Sequence, residues 1–171
     1  MSAPIILIDI DGVIAPFTAT RVLEGSIIEE VSGFGDVIIL ADRIADLVRI
    51  SEKTGAELLF HTSWETGAAN DAFRHHFGRD LEALPDPVEG RVAIWWKLDA
   101  IEDKAAQWAT EGRRVVWLDD MLADGNDFDE TWGELGEAAA ARVGLLFLTV
   151  TPGKYVGLTR EHIAAIEGFL S

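Results

Sequence analysis

Apolar runs of strand length alternate with stretches of helical period along the chain. This is the pattern of a parallel sheet covered by helices, so the predicted fold class is α/β. Pro4 to Ile10 reads as the first strand, its unbroken apolar run suited to burial on both faces, and the turn pair Asp11-Gly12 ends it. Residues 14–39 fit no long helix, because Thr18-Ala19-Thr20, Gly25, Gly33 and Gly35 punctuate short β-branched runs; a hairpin-like flap is the reading there. From Leu40 the apolar positions Ile44, Leu47 and Val48 keep helical spacing to Lys53, and Gly55 stands where a helix-ending glycine belongs. Ala56 to His61 makes the second strand, followed by Thr62-Ser63-Trp64 and a helix-prone stretch over Ala68 to Phe77. Pro85-Asp86-Pro87 interrupts the chain beyond it.

The second half repeats the alternation. A helix is expected from Lys97 to Glu111, with Leu98, Ile101, Ala105 and Trp108 on one stripe and a stop at Gly112. Arg114 to Leu118 is the third core strand and runs directly into Asp119-Asp120 and an acidic loop. Gly133 and Gly136 weaken the helix expected around residues 129–142, Gly144 to Val150 is the fourth strand, and Thr159 caps a final helix through Ile163, Ile166 and Leu170. No repeat, low-complexity tract or linker divides the chain, so one domain over residues 1–171 is expected, with 14–39 as a candidate flap insertion.

Composition narrows the partners. The 171 residues, 49% hydrophobic and 26% charged, are long enough and apolar enough for one self-sufficient core. Lys and Arg number 14 against 30 Asp and Glu, a net charge of −16 that repels nucleic-acid backbones at long range and disfavours a nucleic-acid partner. The short basic clusters, Arg113-Arg114 and Arg74-His75-His76 to Arg79, read as solvated faces. No window is apolar enough for a membrane span and no basic segment precedes an apolar one, so no membrane partner and a cytoplasmic location are expected. With no Cys, a thiolate nucleophile and a cysteine-zinc site are excluded, and any metal must be held by oxygen or imidazole.

Ligands of open α/β sheets sit outside the carboxyl ends of the strands. Three strands end there in polar residues: Asp9-Ile10-Asp11-Gly12, Thr62-Ser63 and Asp119-Asp120. If these ends are neighbours, four carboxylates share one small region, which requires a cation or bound protons. Oxygen-only ligands in a partly open site favour Mg²⁺, which keeps waters and works with phosphates. Of Asp9 and Asp11, one suits attack on phosphorus and the other proton delivery; the plain alternative is a turn with a hydrogen-bonded strand-end carboxylate. Lys97 opens a helix, where the macrodipole disfavours a cation; it either faces the carboxylates and a phosphate or lies along the surface. Thr62 either binds a phosphoryl oxygen or caps the following helix.

The ordered set Asp9-x-Asp11-Gly12-Val13, Thr62, Lys97 and Asp119-Asp120 resembles the four motifs of the haloacid dehalogenase (HAD) superfamily. The resemblance implies a three-layer Rossmann-like fold with a mainly parallel central sheet. It also implies a Mg²⁺-dependent phosphatase in which Asp9 is the nucleophile, forming an aspartyl-phosphate, and Asp11 is the general acid/base whose backbone carbonyl also binds the metal. By the same resemblance Asp119 or Asp120 completes the metal site, Thr62 binds the transferring phosphoryl group and Lys97 steadies nucleophile and phosphate. The short gaps between motifs leave room for a small flap and no large cap domain. Phe60-His61-Thr62-Ser63-Trp64-Glu65, Asn70, Val116-Trp117-Leu118-Asp119-Asp120 and Gly157-Leu158-Thr159 further resemble the capless branch found in Swiss army knife RNA repair proteins. The expected partner is a phosphorylated small molecule or macromolecular end. Two rivals stand beside this phosphatase: a noncatalytic metal- or phosphate-binding module, and a polynucleotide end-phosphatase of nucleic-acid repair.

Other signals carry less. The acidic stretch from Asp119 to Glu130 fails the calcium-loop count and reads as a solvated loop, with Asp124 a candidate outer partner of the metal. His75 and His76 are adjacent and so are not expected to share a helical face as ligands, and His61 and His162 have no evident companions; none is expected to bind metal. Trp108 and Trp117 read as core, whereas Trp64, Trp95 and Trp96 flank the expected site. No phosphate-binding loop, Gly-x-Gly-x-x-Gly or His-Glu-x-x-His motif occurs.

Overall fold

The computed structural model describes residues 2–17, 23–84, 95–124 and 130–171. Five parallel strands form the central sheet: β1 (Ile5–Ile8), β4 (Glu57–Phe60), β5 (Glu82–Ala83), β6 (Arg114–Leu118) and β7 (Leu146–Val150), in the spatial order β5-β4-β1-β6-β7. Between β1 and β4 the chain makes a separate antiparallel hairpin of β2 (Ile27–Val31) and β3 (Gly35–Ile39). Five helices complete the described fold: α1 (Ala41–Thr54), α2 (Thr66–Phe77), α3 (Trp95–Thr110), α4 (Trp132–Arg142) and α5 (Arg160–Leu170). The α/β expectation and the parallel sheet are thus observed, and no large cap domain interrupts the described residues.

The side-chain period of two along a strand sorts the sheet into two faces. Ile6, Ile8, Val116 and Leu118 join the core under α1, α2 and α5, where Ile44, Leu47, Phe73 and Ile166 are buried. Ile5, Leu7, Val115 and Trp117 face the opposite core, against Ile101 and Trp108 of α3 and Ala140 of α4. Three layers result. Trp117 is fully buried because α4 presents Gly136 to it; a β-carbon there would lie 2.9 Å from the indole. The glycine that weakens the helix in the sequence is the one its packing requires.

Boundaries moved by a few residues. The first strand is shorter than Pro4 to Ile10 because Asp9 and Ile10 turn into the loop that follows, and Asp120–Ala123 forms a single 3-10 turn where an irregular loop was expected. The short edge strand β5 has too few residues for a period-two signal. Thr159 caps α5 as expected, in a capping box with His162, and Gly55 ends α1 with φ 72°. The Pro85-Asp86-Pro87 interruption, Thr18-Ala19-Thr20 and the Trp95 side chain lie outside the described residues. No described helix is long and apolar enough to cross a membrane.

Candidate active site

Strand order places β1 and β6 side by side, at the point where successive connections turn from one side of β1 to the other. Ligand crevices form at such a switch point. Asp9 follows β1, and its amide donates to the Leu118 carbonyl at 3.0 Å; Asp119 follows β6, and its amide donates to Val150 at 3.3 Å. Both side chains continue the odd-numbered rows, Ile5-Leu7-Asp9 and Val115-Trp117-Asp119, which point to the α3 face. Lys97, in the first turn of α3, reaches the same place. Its Nζ lies 2.8 Å from Asp9 Oδ2 and 2.6 Å from Asp119 Oδ2, and all three side chains are at least nine-tenths buried. The cation that breaks the macrodipole rule therefore answers two carboxylates.

Hydrogen bonds fix the remaining oxygens. Ile10 N–H donates to Asp9 Oδ1 at 2.8 Å, and Met121 N–H to Asp119 Oδ1 at 2.9 Å. Asp119 is fully buried and both its oxygens have partners. Asp120 is half-buried and closes over Gly12, where a β-carbon would lie 2.4 Å from the Asp120 carboxyl carbon; Gly12, with φ 70°, leaves the room Asp120 needs. Burial raises Asp120 to about 6, with the Asp119 charge adding to the effect. Burial also pushes Asp9 up to about 7; Lys97 opposes this and Asp119 reinforces it. Burial works against the charge on Lys97, but Asp9 and Asp119 outweigh it and raise its pKa. The Asp9, Asp119 and Asp120 carboxylates lie within 4.8 Å of one another, a donor set of the right hardness and spacing for a divalent cation. Such an ion would offset the burial and the Asp119 charge that together raise Asp9 and Asp120.

Asp11 stands apart from this group of carboxylates. Its Oδ2 accepts from Trp64 Nε1 at 2.9 Å, and the Trp64 ring is stacked on Phe34 at the hairpin tip, with centroids 3.8 Å apart and planes within 2°. The tip can turn there because Gly33 and Gly35 both hold positive φ, 85° and 75°. Thr62 is buried and hydrogen-bonds Asp9; α2 is capped instead at Glu65, without a side-chain bond, so the helix-cap alternative for Thr62 does not hold. The loop carrying Asp11 is cinched by the Ile10 carbonyl, which accepts from Val13, Ile14 and Ala15 at 3.2, 3.1 and 2.9 Å.

The six residues singled out from sequence thus fall in one region, with the Asp11 carboxylate beside rather than within the acidic cluster. His61 is a residue whose setting the motifs missed. It extends the β4 row from Leu59 onto the α3 face, fully buried, its ring 5.2 Å from Trp96 and 5.8 Å from Trp117. Neither ring nitrogen makes a hydrogen bond of normal geometry. Burial, reinforced by Lys97, holds it well below the ordinary histidine range, so it is neutral and leaves the positive charge to Lys97. The period-two row was the signal for it.

A five-stranded parallel sheet with Asp at the ends of two central strands, and Lys97 between them, has the architecture of a HAD-like Rossmann fold without a large cap. The family described as "HAD domain in Swiss Army Knife RNA repair proteins" matches residues 5–163. The chain belongs to this family, within the HAD-like hydrolases. A comparison with curated proteins found no match.

Proposed function

We propose that the chain works as one domain, a Mg²⁺-dependent phosphoric monoester hydrolase acting through an aspartyl-phosphate on Asp9. The observation that carries this reading is the buried Lys97 ammonium between Asp9 and Asp119, at the ends of adjacent strands. Asp9, Asp120 and the Asp11 backbone carbonyl would hold the cation, with Asp119 behind them, and Mg²⁺ when bound supplies positive charge to the phosphate and the carboxylates. Asp119, committed to Lys97 and Met121 N–H, acts as a positioning residue.

In this reading an Asp9 oxygen attacks phosphorus, the P–O bond to the leaving group breaks, and Asp11 gives its proton to the departing oxygen. Asp11, now ionised, takes a proton from water as that water attacks the aspartyl-phosphate; inorganic phosphate leaves and Asp9 is restored. Lys97 and the Thr62 hydroxyl offset charge on the transferring group. The Trp64 indole N–H aims the Asp11 carboxyl, and the stacked hairpin tip makes the hairpin a small flap beside it. Hydrolysis of an aryl phosphate by wild type and Asp9→Asn, with and without Mg²⁺, tests the scheme. Turnover needing both Mg²⁺ and Asp9 is expected; undiminished turnover by Asp9→Asn would overturn it.

A second reading narrows the substrate to phosphorylated nucleic-acid ends. The family description favours it, and the net charge of −16 opposes broad contact with a phosphate backbone, so recognition would be confined to the terminal phosphate. Faster hydrolysis of 3′- or 5′-phosphorylated oligonucleotides than of small esters is its test. Mg²⁺-dependent thermal stabilisation without turnover on any of these esters would instead mark a noncatalytic binding module.

A further inference from the structure

Away from the strand ends, the hairpin meets α2 through a second group of ligand-type side chains. His75 and His76 are neighbours in sequence, yet their rings lie 3.9 Å apart, and both turn to the same carboxylate on β2. Glu29 Oε1 is 3.1 Å from His75 Nε2 and 3.3 Å from His76 Nε2. The expectation that adjacent histidines cannot converge is therefore corrected. They sit in the last turn of α2, before Gly78 takes the chain away with φ 70°, and one exposed and one partly buried ring close on a residue from another element.

Two features of this group go beyond an ordinary surface ion pair. The first is spacing. Four ligands at about 2.0–2.1 Å from a tetrahedral zinc ion stand about 3.3 Å from one another, close to the distances from Glu29 to each imidazole. The three donor atoms all lie within 4.8 Å of one another. The second is an unmet need. The His76 side chain is 9% exposed, and its Nε2 makes no hydrogen bond of normal geometry, although it points at Glu29. Burial, with His75 adding to it, lowers the His76 pKa and keeps the ring in the neutral form that ligates metals. Burial resists ionisation of Glu29, but the two imidazoles hold it below the ordinary glutamate range. A groove of about 600 Å³ opens alongside, lined by Glu29, Ser32, Ala68, Asp71 and His75, and gives an ion entry and room for a water as fourth ligand.

We propose that Glu29, His75 and His76 form a zinc-type transition-metal site, two imidazoles and one carboxylate, that fastens the β2–β3 hairpin to α2. The site differs in chemistry from the strand-end cluster: imidazole nitrogen selects zinc-like ions, whereas the all-oxygen cluster suits Mg²⁺. Through the hairpin tip, where Phe34 stacks on Trp64, the clasp also steadies the indole that holds Asp11.

The test is titration of the full chain, freed of metals and then held in excess Mg²⁺, with Co²⁺ followed by its visible ligand-field absorption, and with Zn²⁺ by calorimetry. One ion per chain is expected, with the intense absorption of a tetrahedral site and displacement of Co²⁺ by Zn²⁺. His75→Ala and Glu29→Gln, both at accessible positions, should weaken binding at least about ten-fold while leaving the circular dichroism unchanged. His76→Gln should abolish it. Three results would overturn the proposal: no stoichiometric Zn²⁺ binding by wild type, binding that survives in His75→Ala and Glu29→Gln, or binding lost instead in Asp120→Asn. None of these readouts involves phosphate hydrolysis, so the clasp and the proposed reaction stand or fall separately.

Discussion

Two ion clusters in this protein are mirror images. At the strand ends one ammonium, Lys97, sits between two carboxylates, Asp9 and Asp119, at 2.8 and 2.6 Å, with side-chain exposures of 7, 7 and 0%. On the outer surface one carboxylate, Glu167, sits between two cations, Arg49 and Lys53, at 3.2 and 2.8 Å, with exposures of 28, 50 and 60%. The distances are nearly the same and the physics is not. Water and salt screen the surface trio, and long side chains lose entropy to hold it, so it contributes little. The strand-end trio is held in place by two strands and a helix, has given up its water, and depends on each member to balance the others. Distance alone does not distinguish them; desolvation does.

Removing the central charge is the strongest way to break the comparison. Lys97→Met leaves two carboxylates buried without a cation and is expected to cost about 3–5 kcal/mol of stability, the range for a broken buried pair. Urea unfolding at neutral pH measures this, and added Mg²⁺ should restore part of the loss. Next comes pH. The folded chain keeps the Asp9 proton up to about 7, whereas the unfolded chain releases it near 3.8, so between these values the folded state binds more protons. Asp9 therefore contributes stability that is full below about pH 4 and is lost as the pH rises through 7. In metal-free protein the difference in melting temperature between wild type and Asp9→Asn should follow that course, and Mg²⁺ should flatten it.

Two smaller effects sharpen the contrast. Trp64→Phe keeps an aromatic ring for Phe34 and removes the indole donor to Asp11. A fall of about ten-fold in kcat, the size of a lost hydrogen bond to a charged group, is expected together with a shifted pH–rate profile. Glu167→Gln is the least of the four. It breaks the surface trio outright, yet the unfolding midpoint should move by no more than the scatter between repeat melts, at low salt and at high salt alike.

The same contrast explains what was legible in the sequence. Strand rows are periodic, so Asp9 and Asp119 could be placed at strand ends from the sequence, while their being neighbours came only with the strand order, and Lys97 betrayed itself by standing at the wrong end of a helix. His61 followed the same period-two rule, but it was weighed only as a metal ligand without companions and not for its place beside Lys97. Contacts between elements far apart in the chain left no such trace. Phe34 on Trp64, Trp64 to Asp11, and Glu29 against His75 and His76 depend on where a hairpin lies over a helix, which neither period nor propensity encodes. Gly136 misled for a related reason: its local cost to α4 was visible, and its partner Trp117 was not.

Gly157 has a bearing on how the protein is made. It has φ 68°, and a β-carbon there would lie 2.6 Å from the Val13 carbonyl oxygen, to which the next residue, Leu158, donates its amide at 2.9 Å. The loop after Asp9 is therefore braced by a segment nearly 150 positions later, and Asp119 leans likewise on Val150. A ribosome delivers those supports long after Asp9. Asp9 leaves the exit tunnel well before its surroundings are assembled, so a chain cut short before Leu158 should lack the brace on the loop after Asp9 however well β1 and β4 have formed.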